Sequence, residues 1–88
     1  MAWQVEFSPT AERQIRKLSR KAQASIIGYL RQRVEPADSA RQLRKMLHGD
    51  KRGLWRYRVG DYRLICDVRD SDHRVVVLAI GHRKDVYQ

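Results

Sequence analysis

The side chains of this chain best suited to chemistry lie in two stretches. Arg56, Arg58 and Arg63 fall in LWRYRVGDYRLI, residues 54–65, and His82, Arg83 and Tyr87 fall in LAIGHRKDVY, residues 78–87. A guanidinium fork matches the oxygens of a phosphate in a bidentate way and holds its charge at any working pH. An imidazole is the side chain class that exchanges protons most readily near neutrality. A phenol can pass a proton, and its ring can stack on an unpaired base. Together these types suit the binding of a phosphodiester and the stabilisation of charge that develops on it. The basic loop HGDKRG, residues 48–53, adds Lys51 and Arg52 as further phosphate contacts.

Such a set acts together only if the backbone brings it together. Residues 54–59, 62–69 and 74–80 read as three strands, and Gly60-Asp61 reads as a two-residue hairpin turn with Gly where a type II′ turn wants it. Successive strand residues point to opposite faces. Trp55, Tyr57 and Val59 therefore share one face with Tyr62, Leu64, Cys66 and Val68, and Arg56, Arg58 and Arg63 share the other. In the third strand, apolar on both faces and so expected inside the sheet, Leu78 and Ile80 suit the apolar side. Val77, Ala79, Gly81 and, if the strand persists, Arg83 then fall beneath the guanidiniums. Any one such arginine could be a solvated strand residue; convergence of the set on one face separates a binding surface from that reading. Strict alternation points His82 away from Arg83.

The first half supplies what covers the apolar face. Trp3 to Phe7 alternates like a half-buried strand. Ser8-Pro9 is a helix-start signal, followed by Ala11, Ile15 and Leu18 on one helical face. Ser19 caps a second helix whose stripe is Ala22, Ile26, Ile27, Leu30 and Val34, ended by Pro36. Two helices so closely spaced form an antiparallel hairpin. Residues 42–47 could add one helical turn. The expected architecture is one α+β domain over residues 1–88, in the order β-α-α-β-β-β, with a small antiparallel sheet and the helical hairpin packed on one face.

Composition sets the class of partner. Nineteen Lys and Arg against ten Asp and Glu leave a net charge of +9, an excess that attracts a polyanion or an acidic protein. The single cysteine, Cys66, excludes an internal disulfide and is expected as buried filler in a reducing compartment. No cluster of metal ligands is legible, so no cofactor is expected. No apolar run approaches the length of a membrane span, which together with the cysteine count places the chain in the cytoplasm.

The two stretches, with the opening WQVEFSPTAERQIRKL and the connector LRKMLHG, resemble RelE-type toxins of the RelE/ParE toxin–antitoxin superfamily over essentially the whole chain. The resemblance implies a toxin neutralised by a small RelB-like antitoxin. It also implies an endoribonuclease that cuts mRNA on the ribosome through attack of a 2′-OH on the adjacent phosphate. It carries Arg56 and Arg58 onto the two basic positions of the family's first hairpin strand and Arg63 onto the arginine after the turn. Arg83 and Tyr87 match the arginine and tyrosine of the tail. Arg63 and Arg83 would hold the scissile phosphate, with Arg56 and Arg58 on flanking phosphates. In the best-known members those two strand positions are lysines, one a candidate proton acceptor. Arginine cannot serve so, which leaves proton transfer to Tyr87 or His82. Two other functions fit the same fold: poisoning of DNA gyrase, as in ParE, and RNA binding without catalysis.

Overall fold

The computed structural model describes residues 3–37, 48–49, 54–69 and 71–82. Strand β1 (Gln4–Phe7) leads into helix α1 (Pro9–Arg16) and helix α2 (Arg20–Tyr29), which ends in a π-type turn, Leu30–Val34. Strands β2 (His48–Gly49), β3 (Trp55–Val59), β4 (Tyr62–Arg69) and β5 (Arg74–His82) complete one sheet of order β1-β5-β4-β3-β2. The fold is α+β, with the helical hairpin on one face, as the sequence predicts.

The helices start where polar caps place them. The Ser8 side chain accepts from the Ala11 amide at 3.0 Å, and Pro9 occupies the first helical position. Ser19 accepts from the Ala22 amide at 3.1 Å. Between the helices the Gln23 side-chain amide donates to the Leu18 carbonyl at 2.9 Å and fixes the turn. Ala11, Ile15, Ile26, Leu30 and Val34 are buried against Tyr57, Leu64, Cys66, Val75, Val77 and Ile80 of the sheet. Burying each of the larger aliphatic side chains contributes about 1.5–3 kcal/mol. An edge-to-face contact of Tyr29 with Tyr57, centroids 5.5 Å apart, seats α2 on β3.

Four details depart from the sequence reading. The sheet is mixed, because β1 pairs parallel to β5 from Gln4↔Arg74 to Phe7↔Val77 while the other pairs are antiparallel. Alternation within a strand carries no information on direction, so the parallel edge was not legible. His48 and Gly49, expected in a loop, form a two-residue edge strand against Arg56 and Trp55. The second helix does not run uniformly to Pro36; it widens so that the Glu35 amide donates to the Leu30 carbonyl at 2.9 Å, and the Glu35 carbonyl accepts from the Trp3 amide at 2.8 Å.

The fourth departure changes faces. Cys66 pairs with Val77 and Ile65 with Ala79, so Leu78 is the extra residue of a β-bulge. Val77, expected beneath the arginines, therefore lies on the helix face and is fully buried. Ser8 holds the bulge: its amide donates to the Val77 carbonyl at 2.9 Å and its hydroxyl to the Leu78 carbonyl at 2.8 Å. Past the end of β1, the Gln14 side-chain oxygen accepts from the Ile80 amide at 2.6 Å. Helix α1 thus completes the edge of β5 that β1 is too short to cover. The turn expected at residues 70–72 includes His73, whose φ of 53° is left-handed and whose ring lies 5.1 Å from that of Trp3.

The two glycines at Gly28 and Gly60 predict stability changes of opposite sign. Gly28 lies within α2 with open space where a Cβ would stand, so Gly28→Ala raises unfolding stability by about 0.5–1 kcal/mol. Gly60 has φ +58° in the β3–β4 turn, also with open space, so Gly60→Ala lowers stability by about 1–2 kcal/mol through backbone strain alone. Urea titrations of the two variants measure both. Burial, and then Asp67, push the Cys66 thiol up to about 12 from an ordinary 9.0. Its folded pKa is raised, so the native chain keeps a proton that the unfolded chain loses above pH 9.0. Stability contributed by Cys66 is full below that pH and declines towards about 12. Native protein should resist a thiol-reactive aromatic disulfide that labels the urea-unfolded chain at once, and Cys66→Val should flatten the first part of the alkaline decline.

Candidate functional site

The register of β3 on β4 brings the predicted cations together. Arg58 is the cross-strand partner of Arg63, and Arg56 is the partner of Ile65. Directly opposed residues of antiparallel strands share a face, so the three arginines stand on one side of the sheet and both helices on the other. On β5 the partners of Arg63 and Ile65 are Gly81 and Ala79. The floor of the arginine face is therefore Ile65, Ala79 and Gly81, small towards β5, as the sequence reading requires for two of its three expected residues.

The three guanidinium-bearing residues are graded in depth. Arg63 is 5% exposed, Arg56 is half-buried and Arg58 is exposed. The graded burial positions one arginine rigidly and leaves another free to reach outward. Like charges directly opposite each other in a sheet are unfavourable by a few tenths to about 1 kcal/mol. The Arg58–Arg63 pairing therefore does nothing for the fold, and a bound phosphate would turn that repulsion into attraction. Other strand residues form ion pairs. Asp67 pairs with Arg69 at 3.1 Å, and Glu6 with Arg74 at 3.6 Å.

His82 lies across the sheet from this set. It is the partner of Tyr62 on the helix face, where the two rings meet edge-on with centroids 5.6 Å apart. The structure does not bring it beside Arg58 or Arg63. Arg83, Tyr87, Lys51 and Arg52 lie outside the described residues, as does the helical turn expected at residues 42–47. Cys66 is buried, and Trp55 and Tyr57 belong to the helix side, with Tyr57 nearly inaccessible. Burial, with smaller contributions from Cys66 and Tyr29, drives the Tyr57 phenol far above its ordinary range, so it keeps its proton. Among the described residues no group of three or more His, Cys, Asp or Glu could hold a metal ion. No described helix is long and apolar enough to cross a membrane.

Two contributors escaped the sequence reading. Gln14 completes the β5 edge, which only the short β1 makes necessary. Tyr62, read as a helix-facing strand residue, stands between two surface hollows at the end of the sheet. The signal for it was the pair of lysines, Lys17 and Lys21, flanking the turn of the helical hairpin.

Residues 5–87 match the profile of a family described as the ParE toxin of type II toxin–antitoxin systems. The chain is 31% identical to toxin RelG of Mycobacterium tuberculosis, over all of this chain and 99% of that one. It is 30% identical to toxin RelE of the same organism, over 98% of this chain and 87% of that one. Its fold is similar to that in the RelBE2 toxin–antitoxin complex of M. tuberculosis, with a TM-score of 0.75, 27% identity, and coverage of 94% of this chain and 100% of that one. It also resembles the archaeal RelE–RelB complex of Pyrococcus horikoshii at a TM-score of 0.68 and 19% identity, covering 97% of this chain and 99% of that one, a likeness of fold. The chain belongs to the RelE/ParE superfamily of type II toxin–antitoxin toxins.

Proposed function

We propose that this toxin is a ribosome-dependent mRNA endoribonuclease whose arginine face holds the RNA backbone. The observation that carries the reading is the cross-strand pairing of Arg58 with Arg63 over a floor of Ala79 and Gly81. A phosphodiester laid there is gripped by guanidiniums of two strands. Arg63, buried and so fixed in orientation, faces the scissile phosphate together with Arg83. Arg56 and Arg58 hold flanking phosphates, with Lys51 and Arg52 extending the grip. The 2′-OH attacks the adjacent phosphorus, the P–O5′ bond breaks, and the products are a 2′,3′-cyclic phosphate and a 5′-OH. Charge on the non-bridging oxygens grows in the transition state, where fixed cations act most strongly. The 2′-OH proton must leave and the 5′ oxygen must gain one. Tyr87 is the first candidate for that traffic, since Arg56 and Arg58 cannot accept a proton. His82, on the opposite face, suits RNA contact better than proton transfer.

The partners follow from charge and from kinship. Similar toxins were solved as complexes with RelB antitoxins. A cognate antitoxin that lays an acidic or amphipathic segment over the arginine face would block it directly.

Arg63→Ala should reduce cleavage of ribosome-bound mRNA by about 10²–10³-fold while circular dichroism and antitoxin binding stay intact. Arg58→Ala, at an exposed position, should cost about tenfold, chiefly through weaker binding. Unchanged cleavage in both variants would remove the arginine face from catalysis.

The family profile describes ParE toxins, and that favours one other reading, poisoning of DNA gyrase on the same fold. Mapping mRNA 5′ ends after induction separates the two. Cuts phased to the reading frame are the expected result. DNA double-strand breaks with intact mRNA would assign the gyrase activity instead.

A further inference from the structure

Two hollows open where the sheet ends at the β3–β4 turn. One, about 370 Å³, is lined by Lys17, Leu18, Tyr62, Ile80 and His82 among others. The second, about 380 Å³, is lined by Lys21, Ser25, Val59, Gly60 and Tyr62 among others. Tyr62, half-buried, lines both. His82 braces its ring edge-on at 5.6 Å. Lys17 and Lys21 are exposed, one on either side of the turn between α1 and α2. Helix α2 has no acidic residue in its first turn and begins with Arg20 and Lys21. Cations at that end oppose the helix dipole, so the positive charge here is held at a cost to the helix.

This cleft lies at the same end of the sheet as Arg58 and Arg63. Gly81 lines the first hollow and is also the register partner of Arg63. Gly60 lines the second and follows Val59, next to Arg58.

We propose that the cleft is a second binding site for single-stranded RNA, in which the Tyr62 ring takes a base and Lys17 and Lys21 take phosphates on either side. The proposal rests on the reading that the arginine face binds RNA. Sequence-tolerant binding of single strands combines a cationic groove with an aromatic platform, and both are present here. A duplex keeps its bases stacked and offers nothing for a recessed ring. An acidic peptide would use the lysines and leave the ring unexplained.

The test uses the full chain and fluorescein-labelled 2′-O-methyl oligouridine, which lacks the attacking hydroxyl, followed by fluorescence anisotropy. Lys17→Gln/Lys21→Gln should weaken binding of an oligomer about eight nucleotides long by about tenfold, and should reduce the slope of log affinity against log salt by about 1.4. Tyr62→Leu keeps the side chain apolar and should weaken binding about tenfold with the slope unchanged. Urea titration of each variant checks that the fold is retained. If these variants bind like the parent while Arg58→Ala binds weakly, the cleft is no site and the arginine-face reading stands alone. If Arg58→Ala is also without effect, both readings fall. Loss in the lysine variant but not in Tyr62→Leu, with equal binding of hairpin RNA, would reduce the cleft to general electrostatics and overturn the proposal. Tighter, lysine-dependent binding of polyglutamate than of oligouridine would assign the surface to an acidic protein and overturn it too.

Discussion

The register of β5 is the constraint on which the rest of the molecule depends. In a sheet with one covered face, a slip of one residue exchanges every side chain between core and surface. The bulge at Leu78 makes that exchange once, within the strand. Below it, Val75 and Val77 face the helices; above it, Ala79 and Gly81 lie beneath the arginines and Ile80 returns to the core. Without the bulge, either Val77 would be exposed among guanidiniums or Ile80 would leave the core. Ser8 fixes the bulge through two hydrogen bonds and, through the same hydroxyl, caps α1. One side chain thereby couples the start of the helical hairpin to the geometry of the arginine floor.

Much of this was legible in the sequence because it is local. The Ser8-Pro9 and Ser19 caps, the Gly60 turn with positive φ, and the alternation of arginines with apolar residues on β3 and β4 are short-range signals. What was not legible is long-range. The parallel pairing of β1, the bulge at Leu78 and the Gln14 contact with β5 depend on residues far apart in the chain. The two-residue strand at His48–Gly49 is too short for any periodicity. At the candidate site, the convergence of Arg56, Arg58 and Arg63 could be read from alternation alone. Their depths could not, since exposure of an arginine is set by tertiary surroundings. The recessed Tyr62 needed the helical hairpin in place before its two hollows existed.

Charge is distributed differently on the two sides of the sheet. The arginine face places like charges opposite one another, Arg58 against Arg63, an arrangement that a bound anion would favour. The helical side carries its excess at the hairpin turn, where the dipole of α1 favours Lys17 at its C-terminal end and that of α2 disfavours Arg20 and Lys21 at its start. Family membership is settled by similarity over nearly the full chain. RelE-like and ParE-like toxins share the scaffold, so the activity within the superfamily is a property of the site and not of the fold.

The parallel pairing of β1 with β5 has a consequence for how the protein is made. Ser8 bonds to a carbonyl 70 residues further along, and among the described strands β1 has β5 as its neighbour in the sheet. During synthesis the first strand emerges without the strand it pairs with, and its backbone ladder waits until β5 leaves the ribosome. The helical hairpin can form early, whereas the sheet closes only when nearly the whole chain is available. A toxin built this way reaches its folded shape only as its own synthesis finishes, which leaves the interval of synthesis for an antitoxin already present to meet it.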